Sequence, residues 1–202
     1  DSSVNATVNS LISNVSLRCR LEIVSGKSYA PLTALAYFNN GLSVSGVSLV
    51  NNQVTFKSSK PSVAKIKNNI LYAKDNGSYS LTVSLNSNPA LSSTESYVMS
   101  GIKKPKTNIT SVKSKKKKQI TVSWKNNIKN VTGYEIQYST SKKFTKKTTK
   151  TVTAKGKKAK SKTISKLKSK KTYYVRIRAY KNQSQGEKFY GKYSKTLKIK
   201  VK

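Results

Sequence analysis

The side chains that carry most enzyme chemistry are nearly missing from this 202-residue chain, which holds no histidine, one cysteine and 6 carboxylates against 41 lysines and arginines. Without histidine there is no Ser-His-Asp or Cys-His nucleophile and no imidazole ligand for zinc. Cys19 alone makes neither a thiolate metal site nor an intramolecular disulfide. The carboxylates Asp1, Glu22, Asp75, Glu95, Glu135 and Glu187 are dispersed, with no close pair to suggest a glycosidase dyad or a calcium loop. Ser-x-x-Lys recurs at 62–65, 114–117, 139–142 and 165–168, as chance dictates in a lysine-rich chain, and the companion motifs of serine enzymes that use it are absent. The reading is a non-enzyme with no cofactor and no metal site.

What the chain has in abundance is lysine. Lys115, Lys116, Lys117 and Lys118 end a run that starts at Lys113, and further clusters fill 142–171. Such clusters attract teichoic acid, acidic glycans or anionic headgroups, and they also make a solvated, aggregation-resistant coat; the run alone does not separate the two. Only Arg176 and Arg178 of the 33 basic residues in 102–202 are arginine, the side chain suited to bidentate phosphate readout, so sequence-specific nucleic-acid binding is not expected. A second candidate surface is the alternating row Tyr174, Arg176, Arg178, Tyr180, with Glu135 and Gln137 expected on the neighbouring strand. It suits a sugar or a peptide, but cross-strand pairs of this kind also stabilise a sheet by about 0.2–1 kcal/mol each. Phe189, Tyr190 and Tyr193, expected in the last hairpin, either bind a ligand or close the end of the sandwich.

The elements that must position these groups are strands in two domains. Residues 1–101 hold 8 basic and 4 acidic side chains, whereas 102–202 hold 33 and 2. That break falls at Gly101-Ile102-Lys103-Lys104-Pro105, so we expect domains at 1–101 and 102–202 with a linker at about 101–107. A bead of that size exposes roughly 5,700 Å², which spaces the second half's charges about 13–14 Å apart. Screening over a Debye length of about 8 Å tolerates this at physiological salt but not at low salt, where polyanions should bind. No run of about 18 apolar residues exists, so no transmembrane segment is expected. Residues 1–30 lack the basic start and apolar block of a signal peptide, a pattern that a removed signal would also leave.

Alternation of period two predicts a strand from Val15 to Ile23 with Cys19 inward, where a free thiol behaves as a small hydrophobe. Further strands are expected at about 32–38, 42–49 and 54–57, and residues 1–14 carry no clear assignment. In the second half Ile120, Val122 and Trp124, then Tyr134, Ile136 and Tyr138, then Tyr173, Val175, Ile177 and Ala179, then Leu197, Ile199 and Val201 alternate toward one core. Ile164 and Leu167 add a fifth strand. The fold class is all-β.

Val54-Thr-Phe56, Pro61-Ser-Val63-Ala64-Lys-Ile66, Ile70-Leu71-Tyr72-Ala73, Gly77 and Tyr79-Ser-Leu81-Thr82-Val83 resemble the bacterial immunoglobulin-like group 2 domain, over about 15–100. Phe56 stands where that family often has tryptophan, and Asn68-Asn69 replaces its glycine turn, which asparagine can serve because it tolerates positive φ. Trp124, the Leu167-to-Tyr173 spacing, the run Tyr173–Ala179 and Gly191-Lys-Tyr-Ser194 resemble a fibronectin type III domain over about 102–202, and the segment Tyr138-Ser-Thr-Ser-Lys-Lys-Phe144 with the lysine loops resembles the version found in Gram-positive surface proteins. The resemblance implies two tandem immunoglobulin-like β-sandwiches, with Trp124 in the core and Tyr173 as the tyrosine-corner residue whose hydroxyl bonds to upstream backbone. No Arg-Gly-Asp occurs, so the integrin-binding loop of some animal members does not carry over.

The role expected from these features is a monomeric, non-catalytic fragment of a larger secreted or surface-bound bacterial protein. It would be extracellular or wall-associated and would meet an anionic wall polymer, a glycan, or a host or matrix surface. The competing readings are a passive spacer beside an extracellular enzyme domain and a carbohydrate-binding module using the Tyr174, Arg176, Tyr180 face.

Overall fold

The computed structural model describes residues 15–21, 28–38, 47–49, 52–125 and 128–202, and these fall into two compact units, 1–102 and 103–202. Among the described residues the only helix is one 3-10 turn at Ser184–Gly186; all other regular structure is strand. The molecule is all-β, and no described helix is long and apolar enough to cross a membrane.

The first unit contains β1 (Val15–Leu21), β2 (Tyr29–Phe38), β3 (Val47–Leu49), β4 (Val54–Ser58), β5 (Ala64–Lys67), β6 (Ile70–Ala73), β7 (Gly77–Leu85) and β8 (Ser92–Met99). One sheet runs β1-β2-β6-β5 with β3 also on β2, and the other runs β4-β7-β8. Their facing side chains, Leu32, Ala34 and Leu71 from the first and Val54, Phe56, Leu81 and Val83 from the second, make one buried core. Alternation produces this directly, because a strand with one apolar face must bury it against a second layer. Asn68 and Asn69 lie at φ 49 and 54 between the paired Lys67 and Ile70, so asparagine supplies the left-handed two-residue turn as expected. At the unit's end the Asn76 side-chain amide donates to the Ile102 carbonyl at 3.0 Å and accepts from its N–H at 2.8 Å.

Several expectations for this half lie outside the described residues: the segment 1–14, positions 22–23 of the first strand, and 42–46 of the strand expected at 42–49. In β1 the side chains that can be described are Arg18, which is exposed, and Cys19, which is half-buried against the core.

The second unit contains β9 (Ile109–Lys113), β10 (Ile120–Trp124), β11 (Gly133–Ser139), β12 (Thr149–Lys155), β13 (Ser161–Ile164), β14 (Thr172–Asn182), β15 (Lys188–Tyr190) and β16 (Leu197–Lys200). The sheets are β13-β10-β9 and β12-β11-β14-β15, with β16 also on β14. Ile120, Val122, Trp124, Tyr134, Ile136, Tyr138, Tyr173, Val175, Ile177, Ala179 and Val201 are buried as their alternation predicts, and the Trp124 and Tyr134 rings meet at 5.3 Å. Leu167 is buried too, but it lies beyond the end of β13 rather than in it. Gly191 has no room for a side chain, since a Cβ there would collide with the Pro105 carbonyl.

Candidate functional site

Strand register decides which loops of the second unit share an end. Ile120 pairs with Ile164, so the loop entering β10 (114–119) lies beside the loop leaving β13 (165–171). Ser139 pairs with Tyr174, so the loop leaving β11 (140–148) reaches the same end as the loop entering β14. Three lysine clusters separated in sequence therefore converge: Lys115, Lys116, Lys117 and Lys118; then Lys142, Lys143, Lys146 and Lys147; then Lys166, Lys168, Lys170 and Lys171. None of the three loops contains Asp or Glu, and all twelve lysines are exposed.

Backbone and small hydroxyls hold this end together. The Lys118 N–H donates to the Lys202 carbonyl at 2.9 Å, and the Leu167 N–H donates to the Lys118 carbonyl at 3.0 Å. The Ser114 hydroxyl donates to the Gln119 carbonyl at 2.8 Å and accepts from the Lys202 N–H at 3.0 Å. Lys118, Lys166 and Lys170 sit at φ 57, 60 and 60, in the left-handed region that non-glycine residues rarely adopt. In the 140–148 loop Ser139 and Thr148 share a 2.8 Å hydroxyl bond, and the Ser141 N–H donates to the Ser139 hydroxyl. Lys147, Lys150, Lys166, Lys168 and Lys171 border an open groove of about 670 Å³ floored by Tyr138, Leu167 and Tyr173. Holding the lysines on short tied loops keeps like charges close together, a cost that a polyanion would relieve.

The Tyr173 ring is buried and its hydroxyl accepts from the Lys168 N–H at 3.2 Å, the upstream backbone bond that the tyrosine-corner resemblance implies. One core side chain thus pins the third lysine loop. Trp124, 3% exposed, is core and not site.

The second candidate surface is the outer face of β11 and β14. Gln137 stands opposite Arg176 and Glu135 opposite Arg178. Arg176 donates to Gln137 Oε1 from Nε at 3.0 Å and from Nη2 at 2.7 Å, with its guanidinium between the rings of Phe144 (4.1 Å) and Tyr193 (4.0 Å). Arg178 donates to Glu135 Oε1 from Nε at 2.8 Å and from Nη2 at 2.6 Å, and stacks on Tyr190 at 3.6 Å and Tyr193 at 4.5 Å. Glu135 is only 7% exposed and also accepts from the Tyr193 hydroxyl at 3.2 Å. Burial, with the negative Glu135 close by, pushes the Tyr193 phenol up to about 12 despite the opposing pull of Arg178 and Arg176.

This geometry redistributes the row Tyr174, Arg176, Arg178, Tyr180. Both arginines are engaged by intramolecular partners through Nε and Nη2 and stacked on aromatic rings. Tyr180 lies at the row's end but is only 5% exposed, covered by the Tyr190 ring at 6.3 Å and the Lys188 ammonium at 4.5 Å, and packed where Gly133 leaves room. Alternation sets its face as expected, but the Tyr190 side chain, directly opposite it on the neighbouring strand β15, covers it, so Tyr180 offers a ligand little surface. Tyr174 remains half-exposed. Sequence reasoning gave no part on this face to Phe144, whose ring reaches it from a lysine-rich loop; the available signal was one aromatic isolated among lysines and threonines. Among the described residues no group of His, Cys, Asp or Glu could hold a metal ion.

Residues 103–192 match the family model of the fibronectin type III domain. No curated protein matches the sequence. Among solved structures the chain is similar to the FN1–FN3 domains of chicken CNTN1, at 18% identity and TM-score 0.43 over 94% of this chain and 55% of that one. It is also similar to the sixth fibronectin type III domain of human fibronectin type III domain containing protein 3, at 18% identity and TM-score 0.36 over 51% of this chain and 90% of that one. A structure described as a myokine aligns at 20% identity and TM-score 0.34 over 46% of this chain and 95% of that one.

Proposed function

We propose that this chain, whose second half holds a fibronectin type III domain at 103–192, is a non-catalytic adhesion or wall-association module of a larger secreted bacterial protein. Fibronectin type III domains are commonly non-catalytic modules of multidomain proteins, and in this reading the first unit is a bacterial immunoglobulin-like spacer of group 2. The basic end of the second unit leans on an anionic polymer at the cell surface. The observation that carries the reading is the convergence of twelve lysines on three tied loops with no carboxylate among them. Lysine ammoniums are mobile point charges, so they suit an irregular polymer better than a fixed bidentate target.

The test is co-sedimentation of the chain with purified Gram-positive cell walls, with and without teichoic acid, at about 50 and 200 mM salt. Binding that requires teichoic acid and falls steeply with salt supports the proposal, because polyanion association is driven by counterion release. No binding at the lower salt overturns it and leaves a spacer with a solvated coat.

A further inference from the structure

We propose that the groove beside Tyr174 is a subsite for an acidic sugar unit, so that the polymer met by the basic end is an anionic glycan. This rests on the polyanion reading above and names its ligand. Tyr174 stands apart from the rest of its row: both arginines are bound and stacked, Tyr180 is covered, and the Tyr174 side chain makes no ring, ion-pair or hydrogen-bond contact among the described residues. It borders an open groove of about 540 Å³ together with Val112, Lys142, Thr196, Leu197 and Lys198.

Three features of that lining converge on one chemistry. Tyr174 with Val112 and Leu197 offers an aromatic and aliphatic surface, which a sugar ring can cover with its C–H face. Lys142 and Lys198 are exposed cations on either side, Lys198 being the residue directly opposite Tyr174 on β16. Thr196 supplies a hydroxyl for ring oxygens. No carboxylate lines the groove, so a basic peptide finds no partner there, and an inorganic polyphosphate gains nothing from the aromatic surface. Single-stranded nucleic acid tracks several stacked bases, and this groove holds one aromatic ring. Lys142 belongs to the same loop as Lys143, Lys146 and Lys147, so the groove adjoins the basic end.

The experiment is calorimetric titration of the 202-residue chain with an oligogalacturonate, with inorganic polyphosphate of matched charge and with an oligo-dT, for the wild type, Tyr174→Ala and Tyr174→Phe. We expect Tyr174→Ala to weaken oligogalacturonate about tenfold and polyphosphate less than about twofold, with Tyr174→Phe close to wild type. A second readout is protection of the Tyr174 ring from iodination by oligogalacturonate and not by polyphosphate, which serves if Tyr174→Ala does not fold. Equal losses for both polymers, no loss, absent protection, or a Tyr174-dependent preference for oligo-dT overturns the proposal. Polyphosphate binding without oligogalacturonate binding also overturns it while leaving the polyanion reading intact, whereas a wild type that binds no probe sinks that reading first.

Discussion

The Arg176 guanidinium lies 4.1 Å from the centre of the Phe144 ring, a contact that fastens a lysine-bearing loop onto the outer face of the sheet. Phe144 sits at φ 51, so Phe144→Asn removes the ring while keeping a residue that tolerates this backbone. We expect a loss of about 1 kcal/mol in urea unfolding with an unchanged m-value. An unchanged midpoint would mean that the stack is not formed in solution.

Glu135→Ala should be the costliest outer-face change. It strips the paired acceptor from Arg178, whose side chain is 23% exposed, and removes the acceptor of the Tyr193 hydroxyl. Breaking such a pair on one side costs about 3 kcal/mol, and Glu135→Gln, which retains an acceptor, should cost less. Equilibrium denaturation of both variants gives the order, and equal costs would mean that a neutral acceptor offsets nothing and that the carboxylate's charge carries the whole effect.

Tyr173→Phe should cost about 1 kcal/mol, since the part-buried bond from the Lys168 N–H is lost while the ring still fills the core. Amide exchange at Lys168 should accelerate more than at the core amides of β14. Uniform acceleration across the unit would count against a local pin.

Lysines at the two ends should behave differently toward anionic walls. Replacing Lys115–Lys118 with serine should reduce binding and flatten its salt dependence by about as much as replacing Lys142, Lys143, Lys146 and Lys147, because both sets face one end. Replacing Lys155, Lys157 and Lys158, beside Gly133 at the other end, should change neither. Equal effects from all three sets would indicate a diffuse coat.

Burial, and next the negative charge of Glu95, push the Cys19 thiol up from 9.0 to about 11. The folded chain thus holds this proton more tightly than the unfolded chain does. The resulting stability is complete below about pH 9 and is lost as pH rises through 11. Tyr97, raised in the same direction by burial and by its 2.7 Å bond to Glu95, adds to the slope at still higher pH. Thermal melts at about pH 8 and 10.5 should show the decline, and Cys19→Ala should flatten it. Thiol reagents should label folded protein slowly at neutral pH.

Where the chain alternates cleanly, its strands could be read directly. Ile120–Trp124, Gly133–Ser139 and Thr172–Asn182 bury the residues their pattern nominates, and Asn68-Asn69 makes the turn its chemistry allows. The edge strand β12 was not legible: in Thr149–Lys155 only Ala154 is buried, so no apolar period marks it. Of the outer face, the pairing of Glu135 with Arg178 and of Gln137 with Arg176 followed from which strands adjoin.

Period-two patterning and composition thus determined from sequence alone that this is an all-β, strongly basic chain whose charge is concentrated in its second half, because strand pattern and charge are local properties. Tertiary structure decided which side chains remain free. It covered Tyr180 with Tyr190, engaged both arginines in stacks and bonds, left Tyr174 beside Lys142 and Lys198, and brought three distant lysine clusters to one end. Those outcomes depend on register, on the pairing of β15 beside β14 and on where the 140–148 loop lies, which are long-range closures that no local window of sequence encodes.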